Sequence, residues 1–211
     1  MLNLENLELK SLEKQIYIKA DDDRQIHFTM FQNEYLSEYD YKHCEFQHVL
    51  FENCILDHGS FDKCSFIDVE FRQCDLSNSS FKQTYFERVQ LSDCKIMGAD
   101  LSKSILKQVN INQSNLQYTF FEYSKMSDTE FNQCNLNETS FSECTLKKVN
   151  YEASNLVQTN FFKTSLKGID MSRSTFIYPI VSNQLTELKG LIVNSNQAVD
   201  LVTLLGVKVK G

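Results

Sequence analysis

The sequence predicts an all-β fold, a right-handed quadrilateral parallel β-helix with an N-terminal hairpin and a C-terminal helix, and three observations lead to it. From Tyr41 to Phe176 every fifth residue is Phe, Leu, Ile, Met or Tyr, without a break over 28 positions. Two residues before each centre, from Phe46 onward, stands a small side chain, the largest being Ile169. A period of five fits neither a strand, which alternates every two residues, nor a helix, which repeats near 3.6.

A five-residue period is satisfied when each segment is short and straight and turns a corner into the next. Four such segments close a square coil, with the centre and the small residue pointing inward and the other three residues outward. Stacked coils form parallel backbone ladders about 4.8 Å apart, so seven coils give a rod of roughly 34 Å. One large and one small inward residue alternate because a core this narrow has no room for two large ones.

Composition excludes several classes of protein. The formal charge of −7 and the lack of clustered Lys and Arg argue against direct binding of nucleic acid. Glu5 and Glu8 stand where a signal peptide would be basic and then apolar, and no apolar run is long enough to cross a membrane. We therefore expect a cytoplasmic protein that does not contact membranes.

The seven cysteines all occupy the small inward position, which predicts reduced thiols buried in the core. The sequence carries no CxxC or HxxxH spacing of a zinc site. His43, His48 and His58 take the same outward corner position on three different faces, so they cannot converge on a metal ion. The register fixes no Ser/His/Asp set and no pair of catalytic carboxylates. We expect no cofactor, no metal and no enzymatic activity. The cysteines are Cys44, Cys54, Cys64, Cys74, Cys94, Cys134 and Cys144.

The two ends depart from the repeat and divide the chain into three parts. Residues 1–40 form an N-terminal cap in which 15–28 read as a β-hairpin, residues 41–178 form the solenoid, and residues 179–211 form a C-terminal cap. Pro179 lacks a ladder donor and is expected to end the regular rod. Beyond it, Ser195 is expected to cap a helix that ends at Gly206. One side of this helix can cover the open end of the rod, and its surplus of apolar residues favours a homodimer over a monomeric cap. The predicted interface residues are Val199, Leu201, Val202, Leu204 and Leu205.

Charged residues are unevenly divided among the four faces. The two faces centred on Phe51 and Leu56 carry nine acids against three bases, whereas the other two carry a slight excess of bases. This predicts a continuous acidic side that binds a basic partner, the alternative being an ordinary solvated surface. Its acids are Glu52, Asp57, Glu70, Asp75, Asp93, Glu130, Glu138, Glu152 and Asp170.

Outward aromatic residues also cluster, at Tyr118, Phe120 and Tyr123 in one coil and Phe162 two coils later. They are expected either to anchor a partner protein or to pack against the N-terminal hairpin.

The repeat resembles that of the pentapeptide-repeat family, in which a small residue and often Asp or Asn precede Leu or Phe, as in residues 99–103, Ala-Asp-Leu-Ser-Lys. The resemblance covers residues 41–178. The later segments 188–191, Leu-Lys-Gly-Leu, and 196–198, Asn-Gln-Ala, followed by Leu201 and residues 205–207, are similar to the dimerisation segment of the Qnr-type quinolone-resistance proteins of this family.

This resemblance implies a homodimeric rod that mimics duplex DNA, binds DNA gyrase and topoisomerase IV, and protects them from quinolones. Several members carry two projecting loops that matter for protection, and the unbroken register here leaves no room for one. The chain is thus expected to be a loop-less member, in which simple inhibition of gyrase becomes more plausible. The alternative hypothesis is a structural or scaffolding solenoid that binds another protein.

Overall fold

In the computed structural model, which describes residues 6–13 and 24–210, the chain is a parallel β-solenoid of about eight turns with a short helix near its C-terminal end. The predicted fold class is confirmed. The strands are β1 Glu8–Leu9, β2 Gln25–Gln32, β3 Glu45–Glu52, β4 Ser65–Arg72, β5 Tyr85–Glu87, β6 Gln90–Ser92, β7 Ile105–Lys107, β8 Asn110–Asn112, β9 Lys125–Asn132, β10 Thr145–Glu152, β11 Asn155–Val157 and β12 Thr175–Ile177. The helix α1 spans Ser195–Val202, and 3-10 turns occupy Thr186–Leu188 and Thr203–Leu205.

The strands of successive coils pair in parallel with partners 20 residues apart, as the square coil requires. Glu45 pairs with Ser65, for example, and Lys125 with Thr145. Every centre from Tyr41 to Phe176 is buried except Leu146, which is partly buried against the core. Equivalent aromatic centres stack along the rod axis, with the Phe66 ring 4.9 Å from that of Phe46 and 5.2 Å from that of Phe86.

The small inward position has a second role that residue size alone does not show. At most of these positions the hydroxyl or thiol group donates a hydrogen bond to a backbone carbonyl oxygen 23 residues earlier, in the preceding coil. Ser104 Oγ donates to the Phe81 carbonyl at 2.7 Å, and Cys64 Sγ donates to the Tyr41 carbonyl at 2.9 Å. All seven cysteines are free and buried, which confirms their predicted placement. Ser, Thr and Cys therefore fit this position because they fill it and satisfy a buried acceptor.

Each corner of the coil is made by a residue in the left-handed backbone region. The residue two positions after a centre has a positive φ at almost every corner from Phe28 to Tyr178, Arg173 being the exception. Only two of these corner residues are glycine, Gly98 and Gly168. A non-glycine residue in this region is disfavoured by about 1–2 kcal/mol. The outward corner is therefore a strained position that the ladders on both sides hold in place.

The N-terminal end is more regular than the sequence predicts. Strand β2, which contains Ile26 and Phe28, pairs in parallel with β3 in the same 20-residue register, and β1 pairs in parallel with β2. The solenoid thus includes residues 25–40, and β2 is a solenoid strand. The other arm of the predicted hairpin and its turn, within residues 14–23, lie outside the described residues.

Pro179 does not end the ladder. Ile180 donates a backbone hydrogen bond to the Thr159 carbonyl at 3.0 Å, and Ile192 pairs with Asp170. The residues equivalent to Pro179 in earlier coils, such as Ser79, donate their N–H to the carbonyl three residues earlier in the same coil. Proline therefore removes a bond within a turn and leaves the bonds between coils intact.

The last coil is closed by two buried polar side chains. Glu187 accepts hydrogen bonds from the backbone N–H of Lys163 at 2.8 Å and of Ser182 at 3.2 Å, which ties the final turn to the rod. Gln197, in the first turns of α1, donates to the carbonyl oxygens of Met171 and Ser174 at 2.8 and 2.7 Å. The helix is thus docked on the end of the core by hydrogen bonds as well as by apolar contact.

The cap of α1 is Asn194, one residue before the predicted Ser195. The Asn194 side chain accepts from the Gln197 N–H at 3.0 Å, and the Gln197 side chain accepts from the Asn194 N–H at 2.8 Å. This reciprocal pair is a capping box, which satisfies two of the free donors at a helix start. Gly206 has a φ of 75° and ends the helical segment, as predicted.

Two tyrosines at centre positions allow a test of the core, since tyrosine carries a hydroxyl where the repeat favours phenylalanine. The Tyr41 hydroxyl donates to the Leu36 carbonyl at 3.0 Å, whereas the buried Tyr151 hydroxyl has no hydrogen-bond partner among the described residues. An unpaired buried hydroxyl destabilises a protein by roughly 1–3 kcal/mol, and a paired one contributes about 1 kcal/mol. Tyr151→Phe should therefore raise the free energy of unfolding by about 1 kcal/mol. Tyr41→Phe should lower the free energy of unfolding by a similar amount. Urea unfolding measures both values, and a change of the same sign in the two variants would contradict this account of the core.

Candidate protein-binding surface

The acidic side runs along the two adjacent faces centred on Phe51 and Leu56. Its carboxylates stand on outward positions of successive coils, and the three bases on the same faces each pair with one of them. Arg72 pairs with Glu70, Lys95 lies 3.5 Å from Asp75, and Arg173 lies 2.9 Å from Glu152. The other six acids of this side form no ion pair with Lys or Arg within the described part of the chain. These six acids are Glu52, Asp57, Asp93, Glu130, Glu138 and Asp170.

Hydrogen bonds orient several of these six carboxylates. Asp57 accepts from the Ser37 hydroxyl, and this bond holds the pKa of Asp57 below its usual value. Asp170 accepts hydrogen bonds from the side chain and the backbone N–H of Ser172, and these bonds lower the pKa of Asp170. Glu52 accepts from the Gln32 amide at 2.7 Å. Asp57 and Asp170, at opposite ends of this side, therefore both have a lowered pKa.

Glu70 does not belong to the accessible surface. Its side chain is only 6 % exposed and lies against the Arg72 guanidinium. Together with Asn6 and Leu7 of the N-terminal segment, Glu70 lines a cavity of about 530 Å³. The stacking of coils predicts an outward position for Glu70, but the structure buries its side chain against Arg72.

About half of the bases on the other two faces form ion pairs with neighbouring acids. Arg88 contacts both oxygens of Asp68, at 2.6 and 2.8 Å, and also contacts Glu87 at 2.6 Å. Lys107 pairs with Glu87 at 2.9 Å. The hydrogen bond from Lys107 is the main reason why the pKa of Glu87 falls to about 2. These contacts pair acids with bases on the same faces and leave their slight excess of bases unchanged, so the net negative charge of the rod lies on the acidic side.

The outward aromatic residues form a second surface, in the C-terminal half of the rod. Tyr118, Phe120, Tyr123 and Phe162 are all partly exposed to solvent, with between 37 and 54 % of each residue accessible. The N-terminal residues 6–13 do not cover them, since β1 pairs with β2 at the other end of the solenoid. Of the two predicted roles for these aromatics, packing against a hairpin at residues 15–28 depends on residues outside the described ranges.

The predicted dimer residues divide into two groups. Val199, Leu204 and Leu205 are exposed, Leu205 by 66 %, whereas Leu201 packs against the core and Val202 is half-buried. Leu201 therefore holds the helix on the rod, and the other group is available for a contact with another molecule. No helix among the described residues is long and apolar enough to cross a membrane.

Comparison with known families matches the repeat directly. A family model described as a pentapeptide repeat region matches residues 44–121, and one described as pentapeptide repeats (8 copies) matches residues 104–142, 124–150 and 140–177. The chain is a pentapeptide-repeat protein. Pentapeptide-repeat solenoids are typically structural or protein-binding. No curated protein matches the sequence of this one.

Solved structures of pentapeptide-repeat proteins share the fold. Two trypsin-treated variants of QnrB1, a plasmid-mediated fluoroquinolone resistance protein, superpose with TM-scores of 0.54 and 0.57. They are 19 and 18 % identical to this chain, and each match covers 90 % of it and 94 and 100 % of the QnrB1 chain. At this identity the likeness concerns the solenoid itself.

Proposed function

We propose that this pentapeptide-repeat protein is a DNA-mimicking rod that binds DNA gyrase and topoisomerase IV, and that it protects them from quinolones or modulates their activity. The observation that carries the proposal is the acidic side. Its six carboxylates without a Lys or Arg partner extend from the coil of Glu52 to that of Asp170, along two adjacent faces of the solenoid. A DNA-binding groove is basic and elongated, so this side complements it in both charge and shape.

The magnitude of the charge sets how such a mimic would work. Duplex DNA carries one charge per roughly 1.7 Å of axis, or about 20 charges over the 34 Å of a seven-coil rod. The acidic side carries a net charge of −6, which is about a third of that density. Charges more than about 8 Å apart are also heavily screened at physiological salt. Long-range attraction therefore aids the encounter, and close contacts along the rod must supply much of the affinity.

The decisive experiment measures gyrase supercoiling and quinolone-stabilised DNA cleavage with increasing amounts of the purified protein. We expect micromolar protein to change at least one of these activities. The triple variant Asp93→Lys, Glu130→Lys and Asp170→Lys should raise the concentration needed by about tenfold, which corresponds to 1.4 kcal/mol. A matched control changes the net charge equally on the other two faces, with Glu45→Lys, Asp128→Lys and Glu143→Lys. The concentration of this control variant that is needed should stay within twofold of the wild-type value.

The results separate the two functional hypotheses. If the wild-type protein leaves both activities unchanged, the DNA-mimic proposal is wrong, and a scaffolding solenoid that binds another protein becomes the better hypothesis. The exposed aromatic residues are the observation that favours this second function. An equal loss of the effect on gyrase in both triple variants would show that the net charge of the protein determines this effect and that the acidic side has no special role.

We further propose that the protein is a homodimer through α1, because Val199 of this helix and Leu204 and Leu205 of the turn that follows it are exposed apolar side chains. Sedimentation equilibrium should then give twice the chain mass of 24.6 kDa. A single species of one chain mass at micromolar concentration would refute the dimer without affecting the gyrase proposal.

A further inference from the structure

A groove lies on the C-terminal half of the rod, on the side where the aromatic residues are exposed. Its volume is about 480 Å³. Tyr118 and Phe120 stand at one end of it, Tyr178 and Ile180 stand three coils further on, and all four are 44 to 65 % exposed. The two coils between them carry short side chains at the equivalent of Phe120, namely Ser140 and Asn160. The groove is thus a depression between two exposed apolar ends.

The floor of the groove is polar and prearranged. Ser140, which is only 6 % exposed, donates to a carboxylate oxygen of Glu122 at 3.0 Å, and Asn160 donates to the Ser140 hydroxyl at 3.2 Å. Glu138 accepts a hydrogen bond from the Tyr118 hydroxyl, which raises the pKa of that phenol. The lining therefore contains two carboxylates, and it contains no Lys or Arg.

This combination defines the chemistry of a suitable ligand. Exposed aromatic and aliphatic side chains bind apolar groups, and the carboxylates beside them favour cations. An extended segment in which apolar and basic residues alternate would place its apolar side chains on the exposed apolar residues of the groove and its basic side chains on the carboxylates. Aromatic rings on this side accept an ammonium group, as shown just outside the groove by Lys163, whose Nζ lies 5.1 Å from the centre of the Phe162 ring.

The chain itself contains a segment with this chemistry, residues 207–210, Val-Lys-Val-Lys. Val207 and Val209 are 48 and 51 % exposed, and both lysines are exposed as well. Within the described chain, these four residues make no hydrogen bond and no ion pair. Two apolar side chains are therefore left in solvent beside two unpaired cations.

We propose that the groove binds residues 207–210 of a second copy of this chain. The lengths agree, since four extended residues span about 13 Å and three coil spacings span about 14 Å. Lys208 and Lys210 would face Glu122 and Glu138, and the two valines, about 7 Å apart in an extended segment, would pack against the exposed apolar side chains of the groove. The proposal rests on the homodimer proposed above and is independent of gyrase binding.

A second copy is favoured over the same chain by the position of α1. Gln197 holds this helix on the end of the rod, and the exposed Val199, Leu204 and Leu205 immediately precede the segment. A contact between the helices of two copies would therefore carry the segment of each copy to the rod of the other. Each copy would then give one segment and receive one, as an isologous two-fold interface requires.

A charge exchange in the full-length protein tests the pairing. Glu122→Lys with Glu138→Lys, and separately Lys208→Glu with Lys210→Glu, should each weaken the dimer about tenfold in sedimentation equilibrium. The four changes together should restore the dissociation constant to within about threefold of the wild type. The control Glu45→Lys with Asp128→Lys alters the charge equally on the other side of the rod and should leave the dimer unchanged. Failure of the combined variant to recover would count against the pairing.

Photo-crosslinking locates the segment directly. A benzoylphenylalanine in place of Val209 should crosslink to peptides that contain Tyr118, Phe120 or Tyr178, and the same group at the exposed Gln83 should not. In a mixture of isotopically light and heavy protein, the crosslinked pairs should include light chains joined to heavy chains. A dimer whose crosslinks fall elsewhere would overturn the groove proposal and leave the homodimer intact. Crosslinks confined to one chain, or a monomeric protein, would overturn the assignment to a second copy.

Discussion

Replacing Phe66 with alanine should lower the free energy of unfolding by about 4 kcal/mol, within the 3–5 kcal/mol range of buried aromatic truncations. Phe66 is fully buried, and its ring lies within 6.2 Å of five other phenylalanine rings in its own and neighbouring coils. A coil contacts only its neighbours and cannot collapse laterally, because the ladders fix its width. The cavity left by the ring should therefore persist.

The matched control for this prediction is Phe162→Ala. Phe162 is the same residue type but occupies an outward position and is 37 % exposed. Its loss should change the free energy of unfolding by less than about 1 kcal/mol. Urea unfolding followed by circular dichroism gives both values, and similar losses in the two variants would contradict the assignment of inward and outward positions.

Glu187→Leu should lower the free energy of unfolding by about 3 kcal/mol, although leucine is of similar size and more apolar. Glu187 is 2 % exposed, and its carboxylate accepts from two backbone N–H groups and from the Ser182 hydroxyl at 2.8 Å. Leucine would leave these donors buried and unpaired, at roughly 1–3 kcal/mol for each one that water cannot reach. Glu187→Gln keeps one acceptor oxygen and should lose only about 1 kcal/mol.

The contribution of Glu187 should also depend on pH in a defined direction. Burial raises the pKa of its carboxyl group, but hydrogen bonds from the N–H groups of Glu187 itself and of Lys163 outweigh this, and the net pKa is lowered. A carboxyl whose pKa is lower in the folded state stabilises the fold above its unfolded value, about 4.3, and loses that contribution as the pH falls further. The stability difference between wild type and Glu187→Gln should therefore shrink below about pH 4. Hydrogen exchange should place the loss in residues 160–190, and a loss spread evenly over the rod would contradict this role.

The repeat explains how much of the molecule could be predicted from its sequence. A five-residue period with one large and one small inward residue is compatible with a square coil and with neither a helix nor a single strand, so the fold class and the burial of every cysteine follow from spacing alone. The outward side of Asp93 or Glu130 follows in the same way, because residues 20 apart must lie above one another.

The tertiary structure decided what the repeat does not constrain. Glu70 has the spacing of an outward residue, yet its side chain is buried against Arg72. Pro179 does not interrupt the ladder, because its position uses the N–H only within a turn. Glu187 and Gln197 lie beyond the periodic region, and nothing in their spacing predicts that they close the last coil.

The sequence by itself therefore determined the rod, its inward and outward positions and the division of charge among its faces. Only the tertiary structure decided which carboxylates remain unpaired, how the ends are closed and where a groove forms. The physical reason is that a repeat makes each coil repeat the contacts of the previous one, so local spacing suffices there. At the ends and on the outer surface, contacts join segments without a common period, and they depend on which side chains the stacked coils bring together.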